Sequence, residues 1–361
     1  MKKRTRLFSI PLMCLLITNN SIHVSSAQPI FSSSEKVLFF LDISKSSDSE
    51  RLWEFLRSSL IDKVDSSLGA PSRPGIKKPI KPTDLSISVI NENSQSAPVI
   101  EIVSAKDAER VWGFMINKVG GGKPTSVRLE AIYQDFFGNP GVFSSLVSDY
   151  VLKEEIASVR MPECQKSAES SFKRANFMDN VSNDIRVEAA KEICGVIVKL
   201  SKGITSADLL FSSQCQNASC SDVVGAVQRA AAVADDLVRA QRQGTPRLCI
   251  AIASDMLNHY PGVSQGSPWH TLQAIKKISS PAEAEALGRT VAEQASIKFS
   301  SRIKVRVDVI GQGASKNFPR ELRAKLDSYW KGFWTAAGVP GSSQKASLDQ
   351  ACKSGIRRRN Q

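Results

Sequence analysis

Histidine is scarce: the 361 residues contain three, and only His259 and His270 lie beyond the first 27. That scarcity argues against a zinc site needing several imidazoles and against a well-supported Ser-His-Asp triad. No C-x-x-C pair occurs among the seven cysteines, so metal binding through paired sulfurs is not indicated. Gly120-Gly121-Gly122-Lys123 lacks the spacing of a phosphate loop and is followed by Pro124, where that loop needs Ser or Thr. Gly311-Gln312-Gly313 lacks the third glycine of a dinucleotide fingerprint. Beyond the leader there is no apolar run long enough to cross a bilayer, and no internal repeat.

The chain does carry a leader. Lys2, Lys3, Arg4 and Arg6 precede a short apolar core, Leu7 to Ile17, and Ser25-Ser26-Ala27 supplies small residues for cleavage after Ala27. The expected product is exported, to the periplasm or outside the cell. The whole chain has a net charge of +13; four positive charges sit in the leader, leaving +9. Part of the remainder lies in Lys353 and Arg357-Arg358-Arg359. A solvated basic tail accounts for it, and no nucleic-acid partner is inferred. Export makes disulfides an expectation, although six cysteines allow too many pairings to choose between. Cys215 and Cys220 are close enough in sequence to close a small ring, Cys164 and Cys194 flank a helical stretch, and Cys249, inside an apolar run, reads as a buried thiol.

Strand and helix patterns alternate. Val37 to Leu41 is a continuous apolar run ending at Asp42, as a parallel strand covered on both faces would be. Leu52, Leu56 and Leu60 follow at helical spacing, with Ser47 and Glu50 as a capping box. Residues 67–82 read as a surface loop. Leu85, Ile87 and Val89 alternate with polar residues, and Val99 to Val103 resumes after a turn, giving neighbouring strands. Val223 to Leu237 is an amphipathic helix, Leu248 to Ala253 a buried strand, and Val305, Val307 and Val309 a further strand. Leu322 to Trp334 forms an aromatic last helix, capped at Gly338. The expected organisation is a leader at 1–27, an α/β domain in two parts at 28–104 and 205–340, a helical insertion at 105–204, and a basic flexible tail at 341–361. The fold class is α/β, a doubly wound, mostly parallel sheet flanked by helices.

In such sheets ligands bind beyond the carboxyl ends of the strands. Two strands end in aspartate there: Leu41 leads to Asp42, and Ala253-Ser254 to Asp255. Asp42-Ile43-Ser44-Lys45-Ser46 adds hydroxyls at a spacing of two, so that both face one way from an extended turn. Carboxylate and hydroxyl oxygens are hard ligands that suit Mg²⁺, Mn²⁺ or Ca²⁺.

This segment matches D-x-S-x-S and resembles the metal-ion-dependent adhesion site of von Willebrand factor A (VWA) domains. Ala253-Ser254-Asp255 is similar to that family's later strand ending in Thr-Asp-Gly, and Ser221, before a helix, stands where the family has a Thr. The resemblance implies that Ser44, Ser46 and Ser221 coordinate a cation through hydroxyls while Asp42 and Asp255 hold its waters. It also implies that the ion accepts an acidic side chain of a protein partner, in adhesion or envelope assembly. Met256 departs from the family's Gly. No catalytic residue is expected. Two other readings stand beside this one: a metal-free scaffold on the same fold, and an exported metal-dependent phosphohydrolase using Asp42, for which Ser44 replaces the second carboxylate of haloacid dehalogenase-like enzymes.

Overall fold

The computed structural model describes residues 35–44, 83–121, 132, 142–150, 160–173, 178, 180–212, 221–241, 244–259, 269–313, 318–347 and 350–352. The expected leader, the expected helix after Ser47, the expected 67–82 loop, Ser46, Cys215 and Cys220 lie outside them.

Six strands form one sheet: β1 (Glu35–Asp42), β2 (Thr83–Ile90), β3 (Ile100–Val103), β4 (Arg247–Ala253), β5 (Lys304–Ile310) and β6 (Ser342–Lys345). Their order is β3-β2-β1-β4-β5-β6. Every pairing is parallel except β2 with β3. The α/β, mostly parallel doubly wound class is therefore the one observed. Its strand order reverses between β1 and β4, the point at which such sheets open a crevice at their carboxyl edge.

Period-two alternation divides the strands between two cores. Val37, Phe39 and Leu41 of β1, and Cys249, Ala251 and Ala253 of β4, enter one cluster. Leu38 and Phe40, with Leu248, Ile250 and Ile252, enter the other. Both faces are covered, so the central strands read as unbroken apolar runs.

On the first face lie α1 (Ala105–Phe114), α2 (Val142–Tyr150), α3 (Met161–Phe172) and the long α4 (Asn183–Ser212). Trp112, Phe143, Phe172, Ile193 and Ile197 share their cluster with the sheet. The stretch expected as a helical insertion at 105–204 thus supplies the helical layer of this face, and its expected end falls inside α4. Cys164 of α3 is bonded to Cys194 of α4.

The second face carries α5 (Val223–Ala240), α6 (Thr271–Lys277), α7 (Pro281–Gln294) and α8 (Arg323–Ala336). Tyr329, Trp330, Phe333 and Trp334 of α8 are fully buried. Trp330 meets Tyr329 and Phe333 edge-on, at ring-centre distances of 5.3 and 5.0 Å. Gly338 follows with φ +82°, the left-handed cap anticipated for it.

Two expectations at the end of the chain need correction. Residues 341–361 do not begin as a flexible tail, because Ser342–Lys345 is a strand paired with Val307–Ile310. Backbone hydrogen bonds, rather than apolar side chains, hold this polar segment. Nor is Cys249 a free thiol: it is bonded to Cys352 across a separation of 103 residues, which brings Ala351 and Cys352 into the first-face core. Among the described residues no helix is long and apolar enough to cross a membrane, and the two disulfides suit an oxidising compartment.

Candidate functional site

Asp42 is the last residue of β1, and Ser254 follows the last residue of β4. Leu41 is in register with Ala253, so the next position on each strand brings Asp42 beside Ser254 at the carboxyl edge. Ser254 Oγ donates to Asp42 Oδ2 at 2.7 Å. Ser221 Oγ donates to the same oxygen at 2.7 Å, and the Ser44 N–H donates to Asp42 Oδ1 at 2.9 Å. Asp42 is wholly buried, and Ser44, Ser221, Ser254 and Asp255 are nearly so. A buried carboxylate is tolerated when several donors compensate its lost hydration, and at least three do so here.

Of the five candidate ligands, the structure brings Asp42, Ser44 and Ser221 together, while Ser46 lies outside the described residues. Asp255 is on the same edge, where its Oδ1 accepts the Leu257 N–H at 3.0 Å and its carbonyl accepts the Gly313 N–H at 2.9 Å. The donors are hard oxygens, the set that suits Mg²⁺, Mn²⁺ or Ca²⁺. Ser254 was missed as a site residue. It is polar and follows a strand, but its contact with Asp42 depends on β1 and β4 being neighbours, which sequence order alone does not reveal.

Ser254 also shapes the turn after it, because its Oγ accepts the Met256 N–H at 2.9 Å. Met256 has φ +62°, a left-handed backbone that usually favours glycine. Burial of its side chain and the bond from Trp330 Nε1 to its carbonyl at 3.0 Å hold a conformation that costs about 1–3 kcal/mol. Met256 thus forms a left-handed turn without glycine.

Ser221 is positioned from both sides. Its carbonyl accepts the His259 N–H at 2.8 Å, while the next residue, Asp222, donates its N–H to Asn91 O at 2.9 Å. Asp222 Oδ1 caps α5 by accepting the Gly225 N–H at 2.8 Å. A Cβ at Gly225 would lie 1.9 Å from Asp222 Oδ2, so the cap requires glycine there. Asn258 joins the two loops: its Oδ1 accepts the Val224 N–H at 2.9 Å and its Nδ2 donates to Trp269 O at 2.6 Å.

No protein-family model, curated protein or solved structure matches the chain significantly. The site must therefore be read from its own chemistry. One further group of potential ligands is compact among the described residues: Cys249, Cys352 and Asp308 have ligand atoms within 4.8 Å of one another. The disulfide joins those two sulfurs, leaving no thiolate pair. Asp308 instead accepts the Cys352 N–H at 2.7 Å and a bond from Arg306 at 2.6 Å.

Burial pushes the Asp222 carboxyl from its ordinary 3.8 up to about 6, against the opposing pull of the Gly225 and Ser94 N–H groups. The folded chain then holds a proton that the unfolded chain releases, so the contribution of this group to stability falls as pH rises from about 4 to 6. Asp222→Asn keeps the capping oxygen without the charge. The variant should come close to the wild type near pH 4 and exceed it by about 3 kcal/mol at pH 7, as read by urea unfolding at both values. Equal stability at pH 7 would contradict the raised pKa.

Proposed function

We propose that the chain is an exported, VWA-like binding module that holds a divalent cation of the Mg²⁺ class at the carboxyl edge of its sheet. The cation presents a coordination position to an acidic side chain of a protein partner. The observation carrying this reading is the convergence of Asp42, Ser44 and Ser221 at the point where strand order reverses, the Ser221 hydroxyl lying 2.7 Å from the carboxylate. Asp42, Ser44 and Ser221 would hold the ion, with Asp255 on the same edge and Ser46 two residues after Ser44. Bound there, the ion supplies positive charge and an open position for a carboxylate. The protein's part is to fix the oxygens and keep bulk water away from them.

Calorimetric titration of the processed chain with Mg²⁺ and Mn²⁺ tests the proposal. Asp42→Asn is the better comparison because an amide is isosteric and retains hydrogen bonds with the neighbouring hydroxyls, whereas Ala would leave three buried donors without their acceptor. The wild type should bind saturably, and Asp42→Asn should bind at least about tenfold more weakly while remaining folded. Absence of saturable binding by the wild type, or equal binding by the variant, rejects the cation reading.

One observation favours the second reading, a metal-free scaffold. The Asp42 carboxylate is fully buried and already accepts three hydrogen bonds. On that reading the cluster serves to tie β1 to β4 and to the start of α5, and partner binding is indifferent to a chelator.

A further inference from the structure

The two imidazoles beyond the leader are 11 residues apart in sequence but side by side in space. His259 and His270 have ring centres 5.9 Å apart with planes inclined at 53°. Asn258 produces this meeting. Its carbonyl accepts the Thr271 N–H at 3.1 Å and its side chain donates to Trp269 O at 2.6 Å, so residues 258–259 and 269–271 are clasped together. On its other side, the His259 N–H donates to Ser221 O at 2.8 Å, fixing the pair beside the Asp42 cluster. His259 is half-buried, His270 is 7% exposed and Asp42 is sealed at 0%.

From this geometry we infer that His259 and His270 form a two-imidazole site for a borderline divalent cation such as Zn²⁺ or Co²⁺. This site is distinct from the hard-oxygen set centred on Asp42. A tetrahedral ion about 2.0–2.1 Å from one nitrogen of each ring places the ring centres roughly 5 Å apart. The observed separation is slightly larger, and rotation of the half-buried His259 side chain closes the difference. Imidazole nitrogen suits Zn²⁺, Co²⁺ and Ni²⁺ and is a poor partner for Mg²⁺ and Ca²⁺. The nearby Asp42 carboxylate adds a field favourable to a cation.

Titration of the full processed chain, free of any histidine tag, with Co²⁺ tests the site by visible absorption and by nuclear magnetic resonance of the histidine ring protons. One equivalent should bind saturably and shift the ring signals of both His259 and His270 together. His259→Gln and His270→Gln should each weaken Co²⁺ binding at least about tenfold. The wild-type ring signals require no variant, so a misfolded variant does not leave the inference untested. Lack of saturable binding, a shift at only one ring, or full affinity in His259→Gln overturns it. Displacement of Co²⁺ by equimolar Mg²⁺ also overturns it, since oxygen ligands would then hold both ions. Because the site uses nitrogen ligands, failure of the Mg²⁺ titration leaves it standing, and its own failure leaves the Asp42 proposal standing.

Discussion

Gly332→Ala should destabilise the chain by at least the ~1–3 kcal/mol typical of an overpacked core, and Gly288→Ala should do the same. A Cβ at Gly332 of α8 would lie 1.9 Å from the Glu285 carbonyl oxygen, and one at Gly288 of α7 would lie 1.9 Å from the Tyr329 carbonyl oxygen. Each glycine receives the backbone of the opposite helix, and a backbone carbonyl cannot swing aside as a side-chain tip can. Relief requires α7 and α8 to separate, which loosens the packing of Tyr329, Trp330 and Phe333. The double variant should cost less than the sum of the two single changes, because one separation relieves both overlaps. Urea unfolding of the three variants measures this. A loss below about 0.5 kcal/mol for either single change, the range of inert surface substitutions, would mean that the helices are not in this contact.

Removing the Cys249–Cys352 bond is the second large effect. The bond spans a separation of 103 residues, and in the chain-entropy account a loop of about 100 residues is worth roughly 4.7 kcal/mol. The same bond fixes Cys352, whose N–H supplies Asp308 with one of its donors, so breaking it also weakens the compensation of a buried carboxylate. Cys352→Ser should lower the urea midpoint markedly and leave the Cys164–Cys194 bond intact. It should also expose the segment after β6 to proteolysis before the rest of the chain. An unchanged midpoint would show that β6 and the core contacts alone hold the end of the chain.

The lattice of strands was largely legible because burial on both faces leaves a strong linear pattern. Val37 to Leu41, Leu248 to Ala253 and the Val305–Val309 alternation each correspond to a strand. The Val223 stripe and the aromatic stripe from Leu326 to Trp334 correspond to α5 and α8. Strand β6 was not legible: Ser-Ser-Gln-Lys is polar, and its place depends on the edge offered by β5. The helices from Ala105 onward were recognisable as helical, but their role was not. An apolar stripe specifies that a face is buried without specifying against what.

Asp42, Ser44, Ser221 and Asp255 could be singled out as candidates because strand ends and helix starts carry local signals. The contacts of Ser254, His259 and His270 could not be read in that way, because they depend on distance through space. Two histidines in a long chain argue against imidazole chemistry when only their number is counted; Asn258 brings them together through bonds to Trp269 and Thr271.

The sequence by itself determined the class of fold, the position of the central strands and the hard-oxygen character of the cluster at Asp42. These properties follow from the local periodicity of apolar residues and the chemical identity of side chains at element ends. Tertiary structure decided the neighbours: β1 beside β4, Cys249 bonded to Cys352, α1 to α4 as the layer on one face, and the two imidazoles of His259 and His270 side by side. Such adjacency depends on which surfaces pack when the whole chain closes on itself, and that competition among long-range contacts is not written in any local stretch.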